Sequence, residues 1–334
     1  MISAIYGAGS LGTILGAYIT KAGYPIDLIN HNRSHIAALK AHGAEVTGTV
    51  HFKVPVSALL PEEMSRKYDL IFLMTKQLDN INTVRSLLPF LAPDGVICTL
   101  QNGLPELAVA QVIGEKRTYG CTIGWGASLQ APGISELSSD PEFLSFCPGS
   151  LTNNLNDPHY TEIIKLLRTM GTVEPCTNFI GARWTKILIN CAFTGFGAVL
   201  GYTIGEVAAD KQSRKIAQKV IKECFDVADA AQIRPAPIQG KDINKLLNYH
   251  NPVKKWISYM ILPLTVKKHA SHKGSLLQDL EKGKLTEIDS INGIVCGYGK
   301  KYGTATPCND KVVEVIHLIE QGKLKPERKN LSLF

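Results

Sequence analysis

The sequence predicts an α/β domain built on a doubly wound parallel sheet, followed by a domain that is entirely helical. Over the first third of the chain, short apolar runs alternate with stretches of helical periodicity, which is typical of a parallel sheet with helices on both faces. From about residue 179 onward the pattern is almost wholly helical. We therefore place the first domain at 1–178, the helical domain at 179–322, and a loose basic tail at 323–334.

The elements are expected in a simple order. In the first domain, helices are predicted near 10–23, 33–43, 79–91 and 105–113, between strands at 2–6, 26–30, 70–74, 95–100 and 118–123. Residues 124–150 carry Gly, Pro and Ser between short β-like runs. Helices of the second domain are predicted at 180–195, 205–231, 240–249, 253–265, 275–282, 286–302 and 308–321.

Composition narrows the class of protein. A chain of 334 residues that is 45% hydrophobic and 19% charged suits about two globular domains and does not indicate disorder. The eight cysteines form no C-x-x-C pair, so neither a metal site nor a disulfide framework is indicated, and a cytoplasmic location is expected. The net charge of +7 is spread over lysine pairs, which we interpret as solvated helix faces rather than a nucleic-acid surface.

One stretch imitates a membrane span. From Ile187 to Gly205 there is no charged residue, and glycines recur every four positions from Gly197, as in a spanning helix with a packing face. Asn190 and Thr194 interrupt the apolar character, and no second such segment exists. We interpret the stretch as a helix buried in a soluble core and expect no membrane partner.

A glycine-rich run follows the first strand directly: Gly7-Ala8-Gly9-Ser10-Leu11-Gly12. In a dinucleotide site, Gly7 would permit the tight turn, Gly9 the approach of a pyrophosphate, and Gly12 close helix–strand packing. The helix beginning near Ser10 would offer its amides to the phosphates. Three glycines can simply mark a turn, but the strand–loop–helix setting favours a Rossmann-type site.

The end of the second strand distinguishes the two nicotinamide cofactors. An NAD site normally has an acidic residue there for the ribose 2′-hydroxyl, whereas Asp27 lies inside this strand and no carboxylate follows it. His31, Asn32 and Arg33 could instead receive a 2′-phosphate, with the Arg33 guanidinium as a planar fork. The alternative is that Arg33 merely opens the next helix. The pattern favours NADP(H).

Two further residues follow predicted parallel strands at their carboxyl ends, where ligands of such sheets bind. Lys76 comes after the strand at 70–74, and Asn102 after the strand at 95–100. Lys76 would neutralise a charge of the cofactor or substrate, unless it is an ordinary surface lysine. Asn102-Gly103 could equally be no more than a turn.

A lysine and an asparagine mark the candidate catalytic segment. Lys186 and Asn190 are four residues apart, so a helix places them on one face. A charge in so apolar a segment is costly without a partner or a task, and an ammonium group suits protonation of a ketone oxygen during hydride transfer. The alternative is a lysine that only caps the apolar stretch. Further along, Thr286 and Asp289 match a capping box, which leaves Glu287 unexplained.

These segments together resemble the ketopantoate reductase (2-dehydropantoate 2-reductase) family over nearly the whole chain. The segments that carry the resemblance are the glycine loop, Lys76, Asn102-Gly103, Lys186 to Asn190, Ser275-Leu276-Leu277-Gln278-Asp279, Thr286 to Gly293, and Thr306-Pro307. The stretches around Ser275 and Glu287 are the most specific. The resemblance implies a two-domain reductase that uses NADPH to convert 2-dehydropantoate into pantoate.

The resemblance also implies roles for individual residues. Lys186 would be the general acid, Glu287 would hold the substrate, and Asn190 and Ser275 would bind the acid. Lys76 and Asn102 would meet the cofactor. We expect Asn102 and Glu287 to contact both substrate and cofactor.

Two departures from the family pattern bear on the substrate. Thr194-Gly195 stands where the family usually has asparagine and proline, and we keep Thr194 as a substrate contact. In the second, Gly133 leads into Ser138-Ser139-Asp140-Pro141 rather than a His-x-Gly element. The reduction of another branched or aromatic 2-oxo acid therefore stays open, as does a non-catalytic NADP(H)-binding sensor. A homodimer is also left open.

Overall fold

The computed structural model describes residues 1–237 and 242–334 and divides them into two compact units. The first unit comprises Met1–Gln101 and Pro105–Phe179, and the second Asn102–Leu104 and Ile180–Phe334. The first is α/β and the second is helical, so the predicted fold class is confirmed.

Twelve strands lie in the described part of the first unit. They are β1 (Ser3–Tyr6), β2 (Asp27–Ile29), β3 (Ala44–Gly48), β4 (Phe52–Val54), β5 (Ser57–Leu59), β6 (Tyr68–Leu73), β7 (Leu91–Thr99), β8 (Thr118–Ile123), β9 (Ala127–Ala131), β10 (Ile134–Leu137), β11 (Ser145–Ser150) and β12 (Thr172–Val173). Eight of them form one sheet in the order β12-β11-β8-β7-β6-β1-β2-β5. The other four form a smaller sheet in the order β4-β3-β10-β9.

The large sheet is parallel except where β11 pairs antiparallel with β8. Its central strands β1 and β6 are buried on both faces, which explains why they are continuous apolar runs without alternation. Neighbouring β1 and β2 pair in parallel, so the residues that follow them emerge at the same edge.

Helices cover this sheet. They are α1 (Ser10–Lys21), α2 (Arg33–His42), α3 (Asn80–Leu87), α4 (Pro105–Ile113) and α5 (Pro158–Leu167). The first four were expected. Sequence reasoning missed α5, although Asp157 caps its start and Pro158 occupies its first turn. It also missed β3, β4 and β5, of which β4 and β5 have only three residues each and are too short to show a clear period.

The helical unit contains nine α-helices in its described part. They are α6 (Phe179–Ile189, whose first residue is in the first unit), α7 (Phe196–Leu200), α8 (Ile204–Ala209), α9 (Lys211–Ala230), α10 (Ile243–Leu247), α11 (Pro252–Thr265), α12 (Ser275–Glu281), α13 (Ile288–Tyr302) and α14 (Pro307–Glu320). A π-helix, Asn190–Gly195, joins α6 to α7. Of the helix expected over 240–249, residues 240 and 241 lie outside the described ranges.

The single helix expected over 205–231 is two helices. The Asp210 backbone is extended, and its carboxylate accepts hydrogen bonds from the amides of Gln212 and Ser213, so it caps α9 and ends α8. A local side-chain cap therefore overrides the continuous helical period.

The uncharged stretch at 187–205 lies in the core of the helical unit. Cys191, Ala192, Phe196 and Val199 are fully buried there. Across the described residues, the helices fall short of the length and apolar character that a bilayer crossing demands.

The last twelve residues differ from the loose tail expected from the sequence. A 3₁₀-helix spans Arg328–Leu333, and Asn330 is buried with its amide donating to the carbonyls of Val199 and Lys325 at 2.8 Å each. The Phe334 ring packs edge-on against Phe196 at 5.1 Å. Apolar residues among the lysines therefore anchor this segment to α7.

Candidate active site

The glycine loop has the geometry of a phosphate cradle. Gly7 has a φ of +102°, and a Cβ there would lie 2.4 Å from the Thr75 amide nitrogen. A Cβ on Gly12 would lie 2.7 Å from the Gly7 carbonyl oxygen, whereas Gly9 faces open space. The first-turn amides of α1 have no acceptor within their own helix and are therefore available to an anion. These residues fit the pyrophosphate of a dinucleotide.

A buried histidine that sequence reasoning missed supports this loop. His35 on α2 accepts a hydrogen bond from the Gly133 amide at Nδ1 (3.0 Å), so its Nε2 carries the proton and donates to Thr13 Oγ1 (3.0 Å). The Thr13 hydroxyl in turn donates to the Ala8 carbonyl at 3.2 Å. Burial lowers the pKa of His35, which favours this neutral form. A lone histidine on a helix gave no signal of this role.

The three residues proposed for the 2′-phosphate follow β2. His31 Nε2 lies 3.1 Å from the Tyr6 hydroxyl, and Asn32 caps α2 by accepting from the His35 amide at 3.2 Å. Arg33 begins α2 and pairs with Glu62 at 2.5 Å, with both side chains more than half exposed. An exposed ion pair contributes little stability, so the guanidinium can exchange Glu62 for a phosphate at small cost.

Asp27, the carboxylate inside the second strand, is structural. It is buried and accepts hydrogen bonds from the Ser57 hydroxyl at 2.6 Å and the Tyr68 hydroxyl at 2.8 Å. Because both oxygens are engaged within the fold, this carboxylate does not offer the ribose contact of an NAD site.

The loop that carries Lys76 is held by a buried amide pair. Asn80 and Gln101 exchange hydrogen bonds of 2.8 and 2.9 Å, and the Gln101 amide also donates to the Thr75 carbonyl at 2.9 Å. Lys76 itself is exposed at the end of β6. Sequence reasoning missed both amides, although Gln101 directly precedes the expected Asn102.

In the second unit, Asn102 and Gly103 form the bend that leads to α4. Gly103 has a φ of +74°, so the position requires glycine and the turn predicted as an alternative is present. Leu104, next in the chain, is buried in the core of the helical unit. Asn102 is thereby fixed next to a buried anchor.

Lys186 lies half-buried on α6, and the residues next to it hold this helix in place. Its neighbours Trp184 and Ile187 are buried, the Trp184 indole donates to the Cys224 carbonyl at 2.9 Å, and the Thr185 hydroxyl donates to the Ala236 carbonyl at 2.7 Å. The lysine therefore stands on a helix that cannot easily rotate.

The helix changes from α to π one turn after this lysine, at Asn190. Asn190 begins the π-helix and Thr194 is buried near its end, so both predicted acid-binding residues of this segment lie on it. Single π-helical turns are rare and often occur at functional sites. The sequence predicted a regular α-helix here, and the π-helix was missed.

Two other segments converge on the π-helix. Gly274, just before Ser275 and α12, approaches so closely that a Cβ there would lie 3.0 Å from the Thr194 Cα. From α13, Asn292 donates to the Cys191 carbonyl at 3.4 Å. Glu287 is the buried N-cap residue of α13, and Ser275 is the exposed first residue of α12. The elements that carry Asn190, Thr194, Ser275 and Glu287 thus meet in one unit.

The capping box expected at Thr286 and Asp289 does not form. The Thr286 amide and hydroxyl both donate to Glu320 on α14, at 2.8 and 2.7 Å, and Asp289 pairs with His317 at 3.0 Å. The Thr286 hydroxyl still accepts from the Ile288 amide at 3.3 Å, and the partners on α14 add to this contact and fix the start of α13 next to Glu287.

Two family profiles match the chain. "Ketopantoate reductase PanE/ApbA" matches residues 3–146, and "Ketopantoate reductase PanE/ApbA C terminal" matches residues 178–320. The chain belongs to the ketopantoate reductase family. It is accordingly an oxidoreductase with a nicotinamide cofactor, NADPH being typical of the family.

Curated relatives align with this ketopantoate reductase chain over almost its whole length. A 2-dehydropantoate 2-reductase of Streptococcus pyogenes serotype M18 is 27% identical over 329 residues, covering 96% of this chain and 98% of that protein. One of Pyrococcus horikoshii is 28% identical over 310 residues, covering 91% and 93%.

Solved structures share the fold. A ternary structure of D-mandelate dehydrogenase with NADH and anilino(oxo)acetate superposes with a TM-score of 0.81 at 24% identity, covering 97% of this chain and 99% of that one. A ketopantoate reductase of the PanE/ApbA family from Ralstonia eutropha JMP134 gives 0.80 at 22% identity with the same coverage.

Proposed function

We propose that this protein reduces the 2-oxo group of 2-dehydropantoate to (R)-pantoate with NADPH, as a step of pantothenate biosynthesis. The observation that carries the proposal is Lys186 on its anchored helix, immediately before a π-helix on which the segments of Ser275 and Glu287 converge. The curated relatives that bear the name 2-dehydropantoate 2-reductase support this substrate.

In this proposal the first unit binds the cofactor. The first-turn amides of residues 10–12 hold the pyrophosphate, which the open backbone at Gly9 lets approach, and Arg33 with Asn32 and His31 receives the 2′-phosphate. Lys76 contacts the remaining cofactor, as does Asn102, which belongs to the second unit. When bound, NADPH supplies the hydride that reaches the 2-oxo carbon. The exposed Arg33–Glu62 pair and the open space at Gly9 support this assignment.

The second unit binds and protonates the acid. The Lys186 ammonium donates its proton to the 2-oxo oxygen as negative charge develops there, and regains one from solvent after product leaves. Asn190 and Ser275 donate to the substrate carboxylate and hydroxyl groups. Glu287, buried at the start of α13, orients the substrate and reaches the cofactor.

A second candidate keeps the chemistry but changes the acid. Thr194 is shorter than the asparagine of the family pattern, so the wall of the site has a smaller side chain at this position. Such a wall favours a bulkier branched or aromatic 2-oxo acid. A non-catalytic sensor would not need Lys186 on a fixed helix.

The proposal also covers the location of the enzyme and its partners. The eight cysteines are thiols, which supports the reducing cytoplasm as its location. We propose a homodimer, and no nucleic-acid partner.

The test is NADPH oxidation, followed by absorbance, against a panel of 2-oxo acids that contains 2-dehydropantoate, a branched acid and an aromatic acid. We expect the highest kcat/KM with 2-dehydropantoate, and a lower value with NADH in place of NADPH. A higher value with an aromatic acid would establish the second candidate instead. Tight NADPH binding without turnover of any acid would establish the sensor.

A further inference from the structure

One histidine on α14 lies between two carboxylates. His317 Nδ1 is 3.0 Å from Glu320 Oε2 on the same helix, and its Nε2 is 3.0 Å from Asp289 Oδ1 on α13. Among the described residues, these two are the charged groups that face the ring. A carboxylate only accepts hydrogen bonds, whereas a neutral imidazole has a single N–H to donate. Both contacts can therefore be hydrogen bonds only when His317 is the doubly protonated imidazolium.

The surroundings of His317 favour this charged form. Burial by itself lowers the pKa of the imidazole, but the hydrogen bonds and negative charges of Glu320 and Asp289 outweigh it and raise the pKa above its usual value. The two carboxylates differ in exposure, since the Glu320 side chain is 9% exposed and that of Asp289 is 72% exposed. A buried acceptor is costly to leave without a donor. When His317 loses one proton, the remaining N–H therefore stays on the Glu320 side, and the contact with Asp289 is the one that is lost.

Both carboxylates hold the start of α13. Glu320 Oε1 accepts from the amide and the hydroxyl of Thr286, at 2.8 and 2.7 Å, while Asp289 belongs to the first turn of the helix. Glu287 lies between these two points and does not cap its own helix. The chain is thus connected to α14 one residue before Glu287 and two residues after it. The second of these connections depends on the proton of His317.

We propose that His317 is a positioning residue for Glu287, and that the enzyme binds its 2-oxo acid more tightly when His317 is protonated. The imidazolium keeps Asp289 against α14, which holds the first turn of α13 and the carboxylate of Glu287 in the orientation that the substrate requires. This inference rests on the proposed role of Glu287 as a substrate contact. Because His317 has no part in the proton transfer from Lys186, the effect should be on KM rather than on kcat.

The direction of the pH dependence follows from the raised pKa of His317. Below about pH 6.5, the ordinary pKa of histidine, His317 is protonated in the folded chain and its contact with Asp289 is complete. As the pH rises through the raised pKa, the proton is lost and the contact is released. The affinity for the acid, and the contribution of His317 to stability, should therefore be full at low pH and decrease as the pH rises. The effect on stability should be small, because an exposed ion pair contributes little.

The first test is the pH profile of the KM for the 2-oxo acid at saturating NADPH, between about pH 6 and about pH 8.5. In the natural protein this KM should rise about 10-fold over the range, as for the loss of one hydrogen bond. His317→Gln, which carries no charge, should have the high KM at every pH. His317→Arg keeps its charge and can donate to two carboxylates, so it should have the low KM at every pH. His250→Gln changes an exposed histidine of the same unit and, as the matched control, should follow the natural profile.

The second test is hydrogen exchange of residues 286–292, which reports on the start of α13 without turnover. The Ser290 amide donates to the Glu287 carbonyl at 3.0 Å, so its protection factor shows whether the first turn is closed. This protection should decrease as the pH rises in the natural protein, stay low in His317→Gln and stay high in His317→Arg. Asp289→Ala removes the same contact at an exposed position, with little cost to the fold, and should behave like His317→Gln in both tests.

The proposal is overturned if an active natural protein has a KM for the acid that does not change with pH, or if His317→Gln and Asp289→Ala keep the natural KM. A high KM in His317→Arg would overturn it too, because charge would then not be the cause. An equal loss of NADPH affinity in His317→Gln would mean that the residue supports the fold as a whole. Failure of the proposed function is a separate result, since no acid would then be turned over. In that case, protection of α13 that is equal at every pH would overturn the role of His317, and pH-dependent protection would support it.

Discussion

The side-chain oxygen of Asn292 occupies the space where a Cβ of residue 195 would be. A Cβ built on Gly195 would lie 2.1 Å from Asn292 Oδ1. Asn292 is completely buried, and its amide donates to Asn309 Oδ1 at 3.0 Å. Asn309 in turn donates to Glu223 on α9 at 2.8 Å. Glycine at 195 therefore allows the π-helix, α9, α13 and α14 to share one polar network.

Gly195→Ala should lower both stability and turnover. The added methyl must displace the Asn292 amide, and overpacking of this kind costs about 1–3 kcal/mol of the free energy of unfolding. Because the π-helix carries Asn190 and Thr194, kcat should fall as well. Urea denaturation and the NADPH assay measure the two effects.

The matched control for this prediction is Gly297→Ala, in the middle of α13. A Cβ there meets nothing within 4 Å, so the change should stabilise the helix by about 0.5–1 kcal/mol. Equal destabilisation by both substitutions would show that the Asn292 contact is not the cause.

Lys186→Ala should abolish turnover and leave NADPH binding nearly intact. Removing the proton donor costs about 10²–10⁴-fold in kcat for general acid catalysis, whereas the cofactor contacts proposed here lie mainly in the first unit. Fluorescence titration with NADPH gives the dissociation constant. Lys215→Ala, an exposed lysine on α9, is the control. Loss of NADPH binding equal to the loss of turnover would contradict the assigned role.

Arg33→Ala should weaken the binding of NADPH and leave the binding of NADH unchanged. A charge-assisted hydrogen bond to the 2′-phosphate is worth about 1.5–3 kcal/mol, so the KM for NADPH should rise roughly 10-fold or more. Glu62→Gln is the complementary change: it releases the guanidinium from its 2.5 Å partner and should lower that KM or leave it unaltered. An equal loss with both cofactors would mean that Arg33 acts only on the fold.

Gly274→Ala should raise the KM for the 2-oxo acid without affecting NADPH affinity. The new Cβ would lie 3.0 Å from Thr194 Cα and Cγ2, so Thr194, a proposed substrate contact, must move. A rise of about 10-fold would correspond to one disturbed hydrogen bond. Steady-state kinetics with each substrate varied separately checks this. Gly297→Ala is again the control. Gly283→Ala would strain the backbone, because the φ of Gly283 is +63°.

His35 should make stability depend on pH. Burial lowers its pKa in the folded state, so on acidification below about pH 6.5 the unfolded chain takes up the proton first and the free energy of unfolding falls. In His35→Gln this contribution disappears, and the stability curves of the two proteins should converge as the pH decreases. His42→Gln, an exposed position on the same helix, should follow the natural protein throughout.

Local patterns in the sequence were sufficient to predict much of the fold of the first unit. A Cβ on Gly7 or Gly12 would lie 2.4 or 2.7 Å from a backbone atom, so both positions require glycine. Their spacing after a buried strand predicted both. The strands β1 and β6 were recognisable because burial on both faces makes them continuous apolar runs, and these runs are too short for a helix. By contrast, β4 and β5 were missed because edge strands of three residues are too short to show a period.

The geometry of the candidate site was harder to predict, because it depends on residues that are far apart in the sequence. Lys186, Asn190, Ser275 and Glu287 could be named because their motifs resemble a known family, yet nothing in the motifs indicated a π-helix. Gln101 and His35 hold the Lys76 loop and the glycine loop through partners far away in sequence, such as Gly133, so no local spacing revealed them.

The sequence by itself determined the alternation of the main strands and helices of the first unit, the glycine loop, and the absence of a carboxylate after β2, since each depends on residues within one turn or one strand. The tertiary structure decided where α8 ends, how α13 is capped, and that the final residues pack on α7. Those outcomes depend on hydrogen bonds and apolar contacts between segments far apart in the chain, and only folding brings such segments together.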